Sequence, residues 1–133
     1  QLEKLRDALG EILFKRCHFV VNEIRRVNEA VAALDKNDFK KLGQLMYETH
    51  DGLSKEYEVS CEEIDFLVAS VRHEKSVLGA RMMGGGFGGC SLNLVEKGTE
   101  DALITKISEA YLKEFGLTLS AYKVKISKGT TNV

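Results

Sequence analysis

The 133-residue chain contains no proline, so every turn must take its geometry from glycine or from the side chains around it. It has three cysteines, Cys17, Cys61 and Cys90, far apart and odd in number. That pattern argues against a disulfide scaffold and places the chain in a reducing, cytoplasmic compartment. There is no excess of either charge: 19 Lys and Arg stand against 20 Asp and Glu. A basic surface able to displace counterions from nucleic acid is therefore not expected. No apolar run approaches the length of a membrane span, and no basic-then-apolar leader pattern is present, so no membrane partner is expected. What is present is ordinary globular composition, 44% hydrophobic and 29% charged, enough for one domain that buries roughly two-thirds of its unfolded surface. A helical pattern that starts at once, with Gln1 and no Met, reads as a domain taken from a longer protein.

The first half reads as helices. Leu13, Cys17, Val20, Ile24, Val27, Val31 and Leu34 alternate in steps of four and three, one stripe of a helix expected to face the core. A short helix over residues 2–9 should end at Gly10. After Asp35-Lys36-Asn37, where Asn37 or Asp38 can cap, Phe39, Leu42, Met46, Thr49 and Leu53 repeat the spacing. A helical hairpin over residues 11–55 follows from so short a turn. Ser60 and Glu63 have capping-box spacing, predicting a third helix over 60–73.

The second half changes period. Residues 80–83 and 90–95 read as two strands around a glycine loop, so a strand–loop–strand unit spans 80–95. Thr99 and Gly116 bracket a helix over 100–115. Tyr122, Val124 and Ile126 alternate with Ala121, Lys123 and Lys125, predicting a last strand over 119–127. The order reads as an α+β fold, an antiparallel sheet with helices on one face.

The loop is the outstanding feature. In Gly84-Gly85-Gly86-Phe87-Gly88-Gly89, five of six residues are glycine. At roughly 0.5–1 kcal/mol per glycine in regular structure, such a run could cost a few kcal/mol. That is a large share of the roughly 5–15 kcal/mol that stabilises a domain, and a two-residue hairpin needs far fewer glycines. The run satisfies G-x-G-x-x-G, but a strand and not a helix follows it, so it is neither a dinucleotide fingerprint nor a P-loop. Two readings stay open: close approach of bare backbone to a phosphate or a partner loop, or a plain structural bulge. His18, His50 and His73 show no metal-ligand spacing, and His50 and Asp51 point about 100° apart on a helix, so they form no orienting pair. No metal site and no complete set of catalytic residues can be assembled.

Gly79-Ala80-Arg81-Met82-Met83-Gly84-Gly85-Gly86-Phe87-Gly88-Gly89-Cys90 closely resembles the third, C-terminal motif of galactokinases, within the GHMP kinase superfamily. The resemblance continues through Asn22 to Arg26, Leu42 to Asp51, Tyr57 to Cys61, Ile64-Asp65 and Tyr122 to Ser127, so it covers essentially the whole chain. One departure is Met83, where these enzymes usually have Thr. The resemblance implies a ferredoxin-like antiparallel sheet with added helices. It implies a two-domain parent that phosphorylates the anomeric hydroxyl of galactose from ATP and Mg²⁺, and this chain would be its C-terminal domain. The family's sugar-binding arginine motif, phosphate loop, Mg²⁺ carboxylate and catalytic Asp belong to the other domain, so no catalytic residue is expected here and the chain alone should be inactive, with no cofactor bound. By the same resemblance, Gly84, Gly85, Gly86, Gly88 and Gly89 would form a cleft wall near the ATP phosphates. Replacing Gly85 or Gly86 by Val would then lower activity with little loss of folding. The partners implied are the missing N-terminal domain, galactose and ATP, and the domain alone is expected to self-associate through its bared interdomain surface. Two alternatives remain: a kinase for galacturonate or N-acetylgalactosamine, and a non-catalytic sensor of sugar and ATP.

Overall fold

Seven-residue spacing governs the long first helix, but two rows share it. The computed structural model describes residues 2–126. After a 3₁₀ turn at Leu2–Leu5, α1 runs Arg6–Asp35, and Gly10 (φ 72°, ψ 164°) breaks its helical geometry. The buried row on α1 is Phe19, Arg26 and Ala33. The row one residue on, Val20, Val27 and Leu34, is 43, 56 and 50% exposed, and Leu13, Ile24 and Val31 beside it are exposed too. The expectation that this stripe faces the core is therefore corrected: one residue is about 100° of helix rotation, and the neighbouring row makes the contact. The contact is unusual in being polar and aromatic. Arg26 donates to Glu23 (2.7 Å), Thr49 donates to Glu23 (3.0 Å), and the Arg26 guanidinium lies 5.4 Å from the Phe19 ring.

Lys36 and Asn37 turn the chain, with Asn37 at φ 54°, and the Asp38 side chain accepts from the Lys41 amide (3.0 Å) to start α2, Phe39–Lys55. Residues 56–61 lead to α3, Glu62–Val71. Its N-cap is Cys61, which makes no side-chain cap bond. Ser60 is thus one residue too early for a capping box, and its hydroxyl turns to a stronger, charged acceptor, Asp65 (2.6 Å).

β1, Val77–Met83, pairs antiparallel with β2, Cys90–Val95, in a two-stranded sheet among the described residues. Ala80 and Met82 of β1 join Ile64, Leu67, Val68 and Val71 of α3 and Ile107 of α4 (Glu100–Phe115) in the core. α2 lies unusually close to β1. A Cβ on Gly43 would collide with the Leu78 carbonyl, and one on Gly79 would collide with the Gly43 backbone, so only the glycine pair permits this approach. Gly116, in left-handed geometry at φ 67°, ends α4.

Helices against one antiparallel sheet give the α+β class. The strand expected over 119–127 is not formed over 119–126, while Ser127 lies outside the described residues. Tyr122, Val124 and Ile126 are 84, 76 and 99% exposed. Alternation supplies a strand face, but a strand also needs a ladder partner and a surface that buries that face. This segment meets neither, and Lys123 instead pairs with Asp101 at the start of α4 (2.6 Å).

Candidate functional site: the glycine segment and its support

The segment from Gly84 to Gly89 projects from the end of β1 at the molecular surface. Gly84, Gly85, Phe87 and Gly89 are exposed, and Gly86 and Gly88 are half-buried. Phe87 is 78% exposed although it sits at φ 60°, a left-handed conformation that costs a non-glycine residue free energy. The five glycines differ in what requires them. Gly86 is wedged against the linker: at φ 95°, its Cβ would lie 2.6 Å from the Val59 carbonyl oxygen. The expectation that Val at Gly86 brings little loss of folding is thereby corrected, because the obstruction is backbone within this domain. Gly85 is the opposite case. Its φ is not in the left-handed region and a Cβ there would meet nothing within 4 Å.

The support beneath the segment was not visible in local sequence spacing. The Phe87 amide donates to the Val59 carbonyl (2.7 Å), fixing the segment to the linker 56–61. The linker is in turn tied to α1. Lys15 and Arg16 reach Glu58 (3.2 and 3.1 Å), and Glu56 reaches His18 (3.0 Å). Hydrogen bonds from Lys15 and then Arg16 hold the Glu58 carboxyl below the usual carboxylate range. Glu58 itself adopts φ 60°.

A second anchor lies at the other end. His50 of α2 is 3% exposed. Its Nδ1 is 3.3 Å from the Met82 amide, and its Nε2 is 3.2 Å from Asp65 Oδ1. An amide only donates, so Nδ1 accepts and the ring proton sits on Nε2, facing the carboxylate. Asp65 also accepts from Ser60 (2.6 Å) and Ser54 (2.7 Å). His50 is thus oriented by Asp65, fifteen residues on, and not by Asp51, which pairs with Arg72 (2.7 Å). Burial pushes the His50 pKa below its ordinary value of 6.5, Asp65 and Asp51 oppose that shift, and Arg72 and Lys55 reinforce it. Both His50 and Asp65 fall within the stretches that resemble galactokinases, which is the one sequence signal that could have paired them.

A small cleft of about 280 Å³ opens beside the segment, lined by Phe87, Gly88 and Gly89 with Cys61, Ile64 and Tyr111. A larger one of about 380 Å³ lies between α2 and α3 among His50, Asp51, Lys55, Asp65 and Arg72. Among the described residues no three His, Cys, Asp or Glu side chains come together as a metal site, and no helix is long and apolar enough to cross a membrane. The arrangement is a bare main-chain wall on a rigid base, able to press closely against another surface or an anion.

Known proteins resemble this chain in sequence and in fold. The chain is 40% identical to galactokinase of Thermotoga petrophila over 127 residues, covering 96% of this chain and 36% of that protein. It is 43% identical to human galactokinase over 111 residues, covering 84% of this chain and 28% of that protein. The solved structure of Lactococcus lactis galactokinase complexed with galactose superposes with a TM-score of 0.83 at 32% identity, over 88% of this chain and 30% of that one. The chain thus spans about a third of the length of these relatives. The model of GHMP kinases, C terminal, matches residues 30–113, which takes in all of α2, the linker, the glycine segment and most of α4. With the matched region holding the glycine segment together with Val59, His50 and Asp65, the chain belongs to the GHMP kinase family, whose C-terminal domain it carries.

Proposed function

We propose that the protein carrying this chain is a galactokinase of the cytoplasm, which transfers the γ-phosphoryl group of ATP to the anomeric hydroxyl of galactose with Mg²⁺. This domain supplies one wall of the cleft and no catalytic residue. The observation that carries the reading is Gly85, an exposed glycine that nothing among the described residues requires, within a segment anchored at both ends. Such a position makes physical sense when another molecule comes within van der Waals distance of its backbone. The nucleotide phosphates, held by the rest of the parent, have the size and charge for that approach.

The chemistry assigned to this chain is limited. Phosphoryl transfer depends on positioning and on charge neutralised by metal and cations. The glycine segment contributes shape: bare amides that exclude water and let the facing wall close. Three free cysteines, two of them half-buried and Cys90 exposed, suit a reducing compartment. The exposed row Leu13, Val20, Ile24, Val27, Val31 and Leu34 on α1 is the face we assign to the remaining two-thirds of the parent, and the domain alone self-associates through it.

A coupled assay tests the reading. The full-length protein should phosphorylate galactose with ATP and Mg²⁺ in preference to galacturonate or N-acetylgalactosamine, while the isolated domain reads background. Turnover by the isolated domain would overturn the assignment of catalysis to the other part.

A further inference from the structure

We propose that His50 is a positioning residue, which with Asp65 and Ser60 sets the placement of the glycine segment from beneath. The segment has two tethers to the helical layer. At its C-terminal side the Phe87 amide donates to the Val59 carbonyl (2.7 Å). Just before its start the Met82 amide donates to His50 Nδ1 (3.3 Å). The two tethers converge on one carboxylate. Asp65 accepts from His50 Nε2 (3.2 Å) and from the hydroxyl of Ser60 (2.6 Å), the residue after Val59.

The geometry of the ring makes the link directional. Asp65 fixes the Nε2–H tautomer, and only that tautomer leaves Nδ1 free to accept from β1. A neutral imidazole between a backbone amide and a carboxylate therefore couples the linker to the strand that launches the segment. Met82 and Phe87 are separated by Met83 and three consecutive glycines, which are conformationally permissive, so their placement is decided at these two ends. Gly86, wedged against Val59, is the point where a shift of the linker is felt first.

This inference rests on the reading of the segment as a cleft wall only for its kinetic consequence; the anchoring stands or falls separately. Two near-isosteric variants of the full-length protein divide the functions of the ring. His50→Asn places an oxygen where Nδ1 accepts and gives up Asp65, whereas His50→Gln keeps a donor toward Asp65 and gives up Met82. Hydrogen–deuterium exchange over residues 80–91 should accelerate most in His50→Gln and only slightly in His50→Asn, which keeps the bond to Met82 and loses Asp65. With ATP and galactose, kcat should fall by up to about a hundredfold in His50→Gln, the scale for a misplacement far from the chemistry, with KM for galactose unchanged. His50→Asn should stay within a few fold. Ser60→Ala, a milder change that leaves the ring in place, should show a smaller acceleration of exchange and keeps the test open if His50→Gln does not fold. Wild-type exchange in both Ser60→Ala and any folded His50→Gln would overturn the proposal. Faster exchange with unchanged kcat would leave the anchoring intact and remove the cleft-wall reading instead.

Discussion

Glycine does two different things in this molecule. Gly43 and Gly79 face each other where α2 meets β1, and each is required by the backbone of the other element. Gly85, exposed just beyond the same strand, is required by nothing among the described residues. The first pair is explained by how the chain packs on itself. The second residue has no such internal cause among the described residues, and that difference separates packing from the role we propose for the segment more sharply than composition does.

The largest effect should come from the pair. In Gly43→Ala or Gly79→Ala the new methyl meets main chain, so no side chain can rotate out of the way. Overpacking of this kind costs about 1–3 kcal/mol and sometimes more, and for a domain of this size thermal denaturation should show a drop of roughly 4–15 °C. A Tm unchanged in both would break the contrast at its better-supported end.

Next comes the glycine segment. Gly85→Ala should leave Tm of the full-length protein as it is and lower kcat by about tenfold or more, since a misplaced wall acts on the reaction and not on the fold. Gly86→Ala should lower both, because its methyl meets the Val59 carbonyl and its backbone is left-handed. Equal behaviour of the two variants would mean that Gly85 has no external neighbour.

The smallest effect concerns pH. His50 has a folded pKa below 6.5, so on acidification the unfolded chain takes up the proton first. Stability from the neutral ring is fully present above 6.5 and is lost as the pH falls through the folded value. Tm measured from about pH 7.5 down to about pH 5.5 should therefore decline more steeply in the wild type than in His50→Asn, which has no group to titrate there. Parallel curves would show that Asp65 and Asp51 cancel the effect of burial.

Local signals were legible where a local cause produced them. Asp38 and Gly116 end or start helices by bonds to their own neighbours, and both act as their spacing implies. The glycine segment was visible because five glycines in six positions have no cheap structural reason. What escaped was set by long-range partners. Ser60 has the spacing of a cap, yet Asp65 offers a charged acceptor and wins the hydroxyl. His50 finds its carboxylate on another helix, where no periodicity points. Residues 119–126 alternate like a strand without a ladder to join. On α1 two parallel rows had the same period, and the buried one holds Arg26, whose Nε donates to Glu23 while Thr49 donates to that same carboxylate.

The outward row on α1 carries a practical consequence for any mutational survey. Val20, Ile24, Val27 and Val31 touch little in their own domain, so melting curves of the domain alone would grade polar replacements there as harmless, or even as gains in solubility. If that row meets the rest of the parent as we propose, the same replacements scored by growth or turnover in the intact polypeptide would be graded severe, and positions where the two rankings disagree would outline the seam between this domain and the remainder residue by residue.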